Sequence, residues 1–302
     1  MKLRVTVVLG LEALAIAGLL TVALDQYAHK RVERLGGVNS RGYRGTVVRA
    51  RAEREARIAV VGGDFAFGWG MAEAETTAGY LRTMLATALN KSGEAATVVT
   101  SINLGAHGLP AEDYPARIEQ FGDLAPDVWC VYVDLEDSHA GSVMPPFDSG
   151  VTRLTGYVPM LPIVIEEKGL TTLGRGLKAI DRTLYGLVEG GPTEKAPERR
   201  LPAIERAIDL ALAPATTKAV VVILPVPLTD PQRVEHDRIL ASALARASGE
   251  PRMGVVDLAA QPKFSAPELR LDGVSYSAGG NSLVAQEVGP VIVDLLSRQK
   301  TP

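Results

Sequence analysis

Asp64 follows the β-branched run Arg57–Gly63, and Glu136 follows the run Asp127–Val133, so two carboxylates stand just beyond two short apolar stretches. Carboxylates that share a site do acid and base work of the glycosidase kind, one raising the proton affinity of the other. His107 and His139 fall in loops at the same end of these stretches, where an imidazole serves as a base or joins carboxylates around a metal. The plainer readings are a surface or hydrogen-bonded loop residue for each histidine and a helix cap for Asp64. The four histidines and the single cysteine, Cys130, show no zinc-ligand spacing, and one cysteine makes no internal disulfide. No cofactor or metal is expected.

These residues need a scaffold to bring them together. Five stretches read as strands: Arg57–Gly63, Ala96–Gly105, Asp127–Val133, Ala219–Pro225 and Gly254–Leu258. Between them lie helical segments over 76–90, 112–121, 170–187 and 201–212, the last two separated by the turn-rich Glu189–Pro197. Strands alternating with helices predict a parallel sheet covered on both faces, a flavodoxin-like three-layer α/β fold. At 46% apolar and 22% charged residues in 302, the chain has enough apolar surface for a sizeable core. With 32 basic against 35 acidic side chains the net charge is −3, which excludes binding to nucleic acid by excess positive charge.

The start of the chain departs from this average. From Val5 to Leu24 only Thr6, Glu12 and Thr21 interrupt apolar residues and glycine, and the run stops at Asp25. About 20 residues at roughly 1.5 Å each span about 30 Å, the thickness of a bilayer's hydrocarbon core. The run exceeds the core of a cleaved signal peptide, the alternative, and lacks a small-x-small site before Asp25, so a retained single-pass helix is preferred. Lys2 and Arg4 precede it while Lys30, Arg31, Arg34, Arg41 and Arg44 follow, a count that favours a cytoplasmic domain; long domains translocate regardless of charge, so orientation stays open. Glu12 lies within the run, where an ionisable group marks a function by default, and Gly10, Ala13 and Ala17 share a helix face that allows another helix to approach. A protonated or snorkelling Glu12, with small residues that merely reflect an alanine-rich chain, is the plainer reading. The expected organisation is an anchor over 1–26, a juxtamembrane segment over 27–56, and a domain over 57–299 with a helical insertion at about 141–217.

Val38–Gly45 and then Arg57-Ile-Ala-Val-Val-Gly-Gly-Asp64-Phe-Ala-Phe-Gly-Trp69-Gly70 resemble the first motif of the SGNH hydrolases, or GDSL-type esterases, which read Gly-Asp-Ser-Phe-Thr-Phe-Gly-Trp-Gly there. The resemblance continues in order through Ile102–Gly108, Pro126–Asp137 and Leu271–Ala285, covering nearly all of the chain beyond the anchor. It implies an SGNH-like fold and a site made of a serine nucleophile, oxyanion donors from a glycine and an asparagine, and an Asp-x-x-His pair.

Set against that pattern, Asp64 stands at the nucleophile position, and no Ser, Thr or Cys occurs between Glu53 and Met71. Gly105 matches the oxyanion glycine, while Glu136 replaces the amide donor by an acceptor. Asp272 matches the aspartate, but Ser275 replaces the histidine and is no base near neutral pH. Asp64, Glu136 and Asp272 then place negative charge where an oxyanion would form. Trp69 reads as a packing residue, with a ligand platform as the alternative.

The expectation is therefore a chain that is not an enzyme: a membrane-anchored SGNH-like domain acting as a structural or interaction subunit among other membrane proteins. By the resemblance, its domain lies outside the cytoplasmic membrane. The alternatives are an acyl-ester or polysaccharide-modifying hydrolase with a rewired site, and a module that binds a glycan without cleaving it.

Overall fold

The computed structural model describes residues 2–34, 37–68, 70–90, 97–106, 108–135, 150–155, 157–161, 165, 176, 180, 200–271 and 275–299. Two compact units are distinguished: Met1–Gly42 with Pro145–Glu194, and Tyr43–Met144 with Lys195–Pro302.

The first unit holds α1 (Lys2–Arg34). This one continuous helix of 33 residues runs past the apolar stretch and through basic residues that the sequence places after the anchor. Its segment Val8–Lys30 is long and apolar enough to cross a membrane. Val8, Leu9, Leu11, Ile16, Leu19, Leu20, Val22 and Leu24 are all exposed. Gly10, Glu12, Ala13 and Ala17 are exposed as well. Beyond Leu24 the helix changes character. Asp25, Ala28 and His29 are buried; the Asp25 carboxylate accepts from the Tyr157 hydroxyl and from the Met160 backbone N–H at 2.9 Å, and His29 Nε2 donates to the Val158 carbonyl.

The second unit is built around five strands. In chain order it comprises β1 (Glu55–Gly62), the four-residue α2 (Asp64–Phe67), α3 (Thr77–Leu89), β2 (Val98–Asn103), α4 (Tyr114–Gln120) and β3 (Val128–Tyr132). After α5 (Gly150–Thr155) of the first unit, it continues with α6 (Arg200–Leu212), β4 (Ala219–Leu224), α7 (Asp230–Gly249), β5 (Met253–Asp257) and α8 (Ala278–Arg298). The sheet order is β2-β1-β3-β4-β5 and every pairing is parallel, which is the flavodoxin-like arrangement expected from the alternating strands and helices. All five strand stretches read from the sequence form. The helical reading over 201–212 is α6, whereas most of 170–187 lies outside the described residues.

β3 and β4 are buried along their whole length because helices cover both faces. Alternate residues divide the core. Ala59, Val61, Trp129, Val131, Val220 and Val222 pack with Ile118 of α4 and Ile204 and Ile208 of α6. Ile58, Val60, Cys130, Tyr132, Val221 and Ile223 pack with Leu81 and Leu85 of α3 and with Val284, Val288 and Ile292 of α8. The helices begin where side chains cap them: Thr76, Thr229 and Ser277 accept from the backbone N–H groups of Gly79, Gln232 and Gly280. The loops after β1, β2 and β3 consequently emerge together at the strand-end edge of the sheet.

Candidate active site

The strand order reverses between β1 and β3, and in an open parallel sheet the crevice beyond the carboxyl ends of such strands is where ligands bind. Gly62 of β1 is in register with Tyr132 of β3. Two residues past each stands a carboxylate, Asp64 on one strand and Asp134 on the other. The Asp64 backbone N–H donates to Asp134 Oδ2 at 3.1 Å, and the Gly108 backbone N–H donates to Asp64 Oδ1 at 3.2 Å. Asp134 is buried, while Asp64 is partly exposed.

Neighbouring groups hold this pair in place. The Gly63 N–H donates to the Tyr114 hydroxyl oxygen at 3.0 Å, and that hydroxyl donates to the Tyr132 carbonyl at 3.2 Å. Burial, reinforced by the negative charge of Asp134, pushes the Tyr114 phenol well above its ordinary pKa. It therefore stays a neutral donor and acceptor through the physiological range. A Cβ built on Gly63 would lie 2.4 Å from Asp134 Oδ2, so the carboxylate's approach requires glycine. Arg44 fastens the far end of α2, donating to the Phe67, Gly68 and Met71 carbonyls with its guanidinium 4.8 Å from the centre of the Phe67 ring.

Gly105 seats α2, since a Cβ there would meet the Phe67 nitrogen at 2.4 Å. Its N–H donates to Asn103 Oδ1 at 3.0 Å. The Gly105 N–H, the backbone donor that the resemblance assigns to an oxyanion, is thus bound to a side-chain oxygen of the fold, as is the Asp64 N–H. Ser275 is buried, and its carbonyl accepts from the Leu271 N–H at 2.8 Å. Trp69, His107, Glu136, His139 and Asp272 lie outside the described residues, so the pairing of Asp64 with Glu136 does too. Among the described residues no three His, Cys, Asp or Glu side chains form a group able to hold a metal ion.

Asp134 is the site residue that reading the sequence passes over. It follows a run as apolar as the one before Asp64, but only the strand register places the two side by side. Chemically the arrangement offers two carboxylates, a neutral phenol and no hydroxyl nucleophile on α2. Arg200 stands beside it, donating to the Leu135 carbonyl at 3.2 Å and countering with its positive charge the effect of Asp134 on the Tyr114 phenol.

No protein-family model and no curated protein matches the chain. Among solved structures it is similar to a family 3 carbohydrate esterase from Clostridium thermocellum, with a TM-score of 0.47 and 13% identity over 81% of this chain and 98% of that one. It is also similar to a protein assigned to the lipolytic G-D-S-L family from Desulfitobacterium hafniense, with a TM-score of 0.46 and 13% identity over 78% and 99% of the two chains. A third is a two-domain esterase active on acetylated mannans, with a TM-score of 0.42 and 14% identity over 80% of this chain; the chain spans about half of that protein, 49% of its length. The likeness is one of fold and assigns no residue a role. All three are named as esterases or as lipolytic, contrary to the expectation that the chain is not an enzyme, and that expectation is withdrawn.

Proposed function

We propose that the chain is a membrane-anchored hydrolase of polysaccharides that works through a carboxylate pair in place of a serine nucleophile. The observation that carries this reading is the meeting of Asp64 and Asp134 at the β1/β3 switch point, with the Asp64 N–H held by Asp134 at 3.1 Å. A glycosidic transition state develops positive, oxocarbenium-like charge, which two carboxylates stabilise. An acyl-ester transition state develops an oxyanion, and here the nearby N–H groups of Asp64 and Gly105 are already engaged. In the proposed step one carboxylate takes the proton of the attacking water while the protonated partner gives its proton to the leaving oxygen. Bond formation to the anomeric carbon is balanced by cleavage of the glycosidic bond. Asp64, the more exposed of the two, is assigned to the water.

α1 supplies the anchor in this reading, and the domain is placed outside the cytoplasmic membrane, where polysaccharide is available. The test uses the full chain in detergent with acetylated and unacetylated polysaccharides, scoring new reducing ends and released acetate separately. Reducing ends are expected, falling by about 100-fold or more in Asp64→Asn, the usual scale for loss of a general acid or base, at an unchanged Tm. Acetate release without chain cleavage, or no turnover of any substrate, would overturn the assignment.

A further inference from the structure

Between Val8 and Leu24, within the stretch of α1 long and apolar enough to cross a membrane, only two side chains are polar, Glu12 and Thr21. Thr21 is satisfied within its own helix, where Oγ1 donates to the Ala17 carbonyl at 2.9 Å. Glu12 is exposed and makes no hydrogen bond or ion pair among the described residues. It stands about 10 Å beyond Val5 and about 18 Å before Leu24, farther from either end of the apolar run than a glutamate side chain reaches. An ionised carboxylate at that depth is costly in hydrocarbon, and a protonated one still requires hydrogen-bond partners.

Glu12 also occupies one position of a repeat. Val8, Glu12, Ala15, Leu19 and Val22 follow one another at intervals of four, three, four and three residues, the 3.5-residue period along which two helices supercoil. All five are exposed. The next positions of the repeat, Gln26 and His29, close it off, because His29 is buried against the Val158 carbonyl of its own chain. We infer that α1 pairs in the bilayer with α1 of a second copy of this chain, in parallel, along the seam from Val8 to Val22, with the two Glu12 carboxyls hydrogen-bonded to each other. Self-complementarity selects this occupant. A protonated carboxyl both donates and accepts, so two copies related by a two-fold axis bring identical groups to one depth and each satisfies the other. A single polar residue in an otherwise apolar seam also fixes the register of the pair. Gly10, Ala13 and Ala17 lie about 100° or more around the helix from Glu12 and take no part. The inference rests on the anchor in the proposed function and is independent of the Asp64–Asp134 chemistry.

The full chain is reconstituted in phosphatidylcholine vesicles, and its retention under alkaline carbonate is scored separately from its association. Association is read as energy transfer between copies labelled at the amino terminus with donor and acceptor fluorophores. Glu12→Leu is expected to weaken it about threefold to tenfold, the scale of a hydrogen bond between helices in a bilayer, whereas Glu12→Gln, whose amide also gives and takes a hydrogen bond, keeps it. The native Cys130 is buried and stays silent, so cysteines introduced one at a time report contact by disulfide formation. Leu19→Cys, on the seam, is expected to link two chains, and Ala17→Cys, on the opposite side of the helix, is not. A chain retained in the vesicles as a monomer, as it would be if Glu12 awaited a cationic helix of another protein, overturns the proposal. Linkage through Ala17→Cys rather than Leu19→Cys, or undiminished association in Glu12→Leu, overturns it as well. Release by carbonate overturns the anchor itself and the pairing with it.

Discussion

Gly63 is constrained by what stands beside it. Its φ of −81° is open to any residue, but Asp134 Oδ2 occupies the space of a Cβ. Gly63→Ala must therefore push the carboxylate off the Asp64 N–H. Turnover is expected to fall about tenfold or more and stability by about 1–3 kcal/mol, measured as kcat and as urea unfolding. Wild-type kinetics in this variant would remove Asp134 from the site. Cys130 lies under the centre of the sheet, where burial pushes its thiol up to about 12. At pH 8 the native chain is expected to leave a disulfide reagent unreacted, and the urea-unfolded chain to consume one equivalent; similar rates in both states would contradict the burial. At this scale the sequence reveals residue types better than partners. Asp64 is legible as a carboxylate ending an apolar run, but its meeting with Asp134 depends on Gly62 lying opposite Tyr132, which spacing along the chain does not encode.

The same division holds for whole elements. The strands are legible because β3 and β4, buried on both faces, read as unbroken apolar runs. α7 is not, because its 20 residues bury only His236, Ile239 and Ala243, too narrow a stripe to leave a helical period. His236 instead joins α7 to β5, with Nε2 3.1 Å from Asp257 Oδ1. α8 is obscured for another reason. It contains Gly279, Gly280, Gly289 and Pro290, all poor helix formers, and forms through packing of Val284, Val288, Ile292 and Leu295 on the sheet. At the start of the sheet Glu55 links β1 to β2, accepting from Arg57 at 3.0 Å, the Ala52 N–H at 2.9 Å and the Thr100 hydroxyl at 2.5 Å. Burial alone would raise its pKa, but these donors together bring it below the ordinary glutamate value of 4.5. A depressed folded-state pKa contributes stability above about pH 4.5 that is lost as pH falls through the folded value. Glu55→Gln is expected to cost about 1–2 kcal/mol at pH 7 and less at pH 3, by urea unfolding at both; an equal cost at the two pH values would contradict this.

For the molecule as a whole the decisive boundary lies between Leu24 and Asp25. On one side of it, apolar side chains of a helix stand exposed; on the other, Asp25, Ala28 and His29 are buried, and Asp25 and His29 are hydrogen-bonded to the 157–161 segment of the same unit. Water makes the first half unfavourable and hydrocarbon would make the second unfavourable, so a bilayer surface near Asp25 suits both. The sequence shows this boundary as the end of an apolar run. It does not show the helix continuing to Arg34, because residues beyond Leu24 are polar and basic and are held by tertiary contacts. A cleaved signal would separate these halves, whereas a retained anchor keeps α1 whole. After expression the chain is expected in the membrane fraction, resisting alkaline carbonate and leaving only with detergent. Its intact mass should include the apolar stretch Val5–Leu24. Release by carbonate, or a mass lacking residues up to about Leu24, would instead identify the stretch as a signal that is removed and leave the domain unanchored.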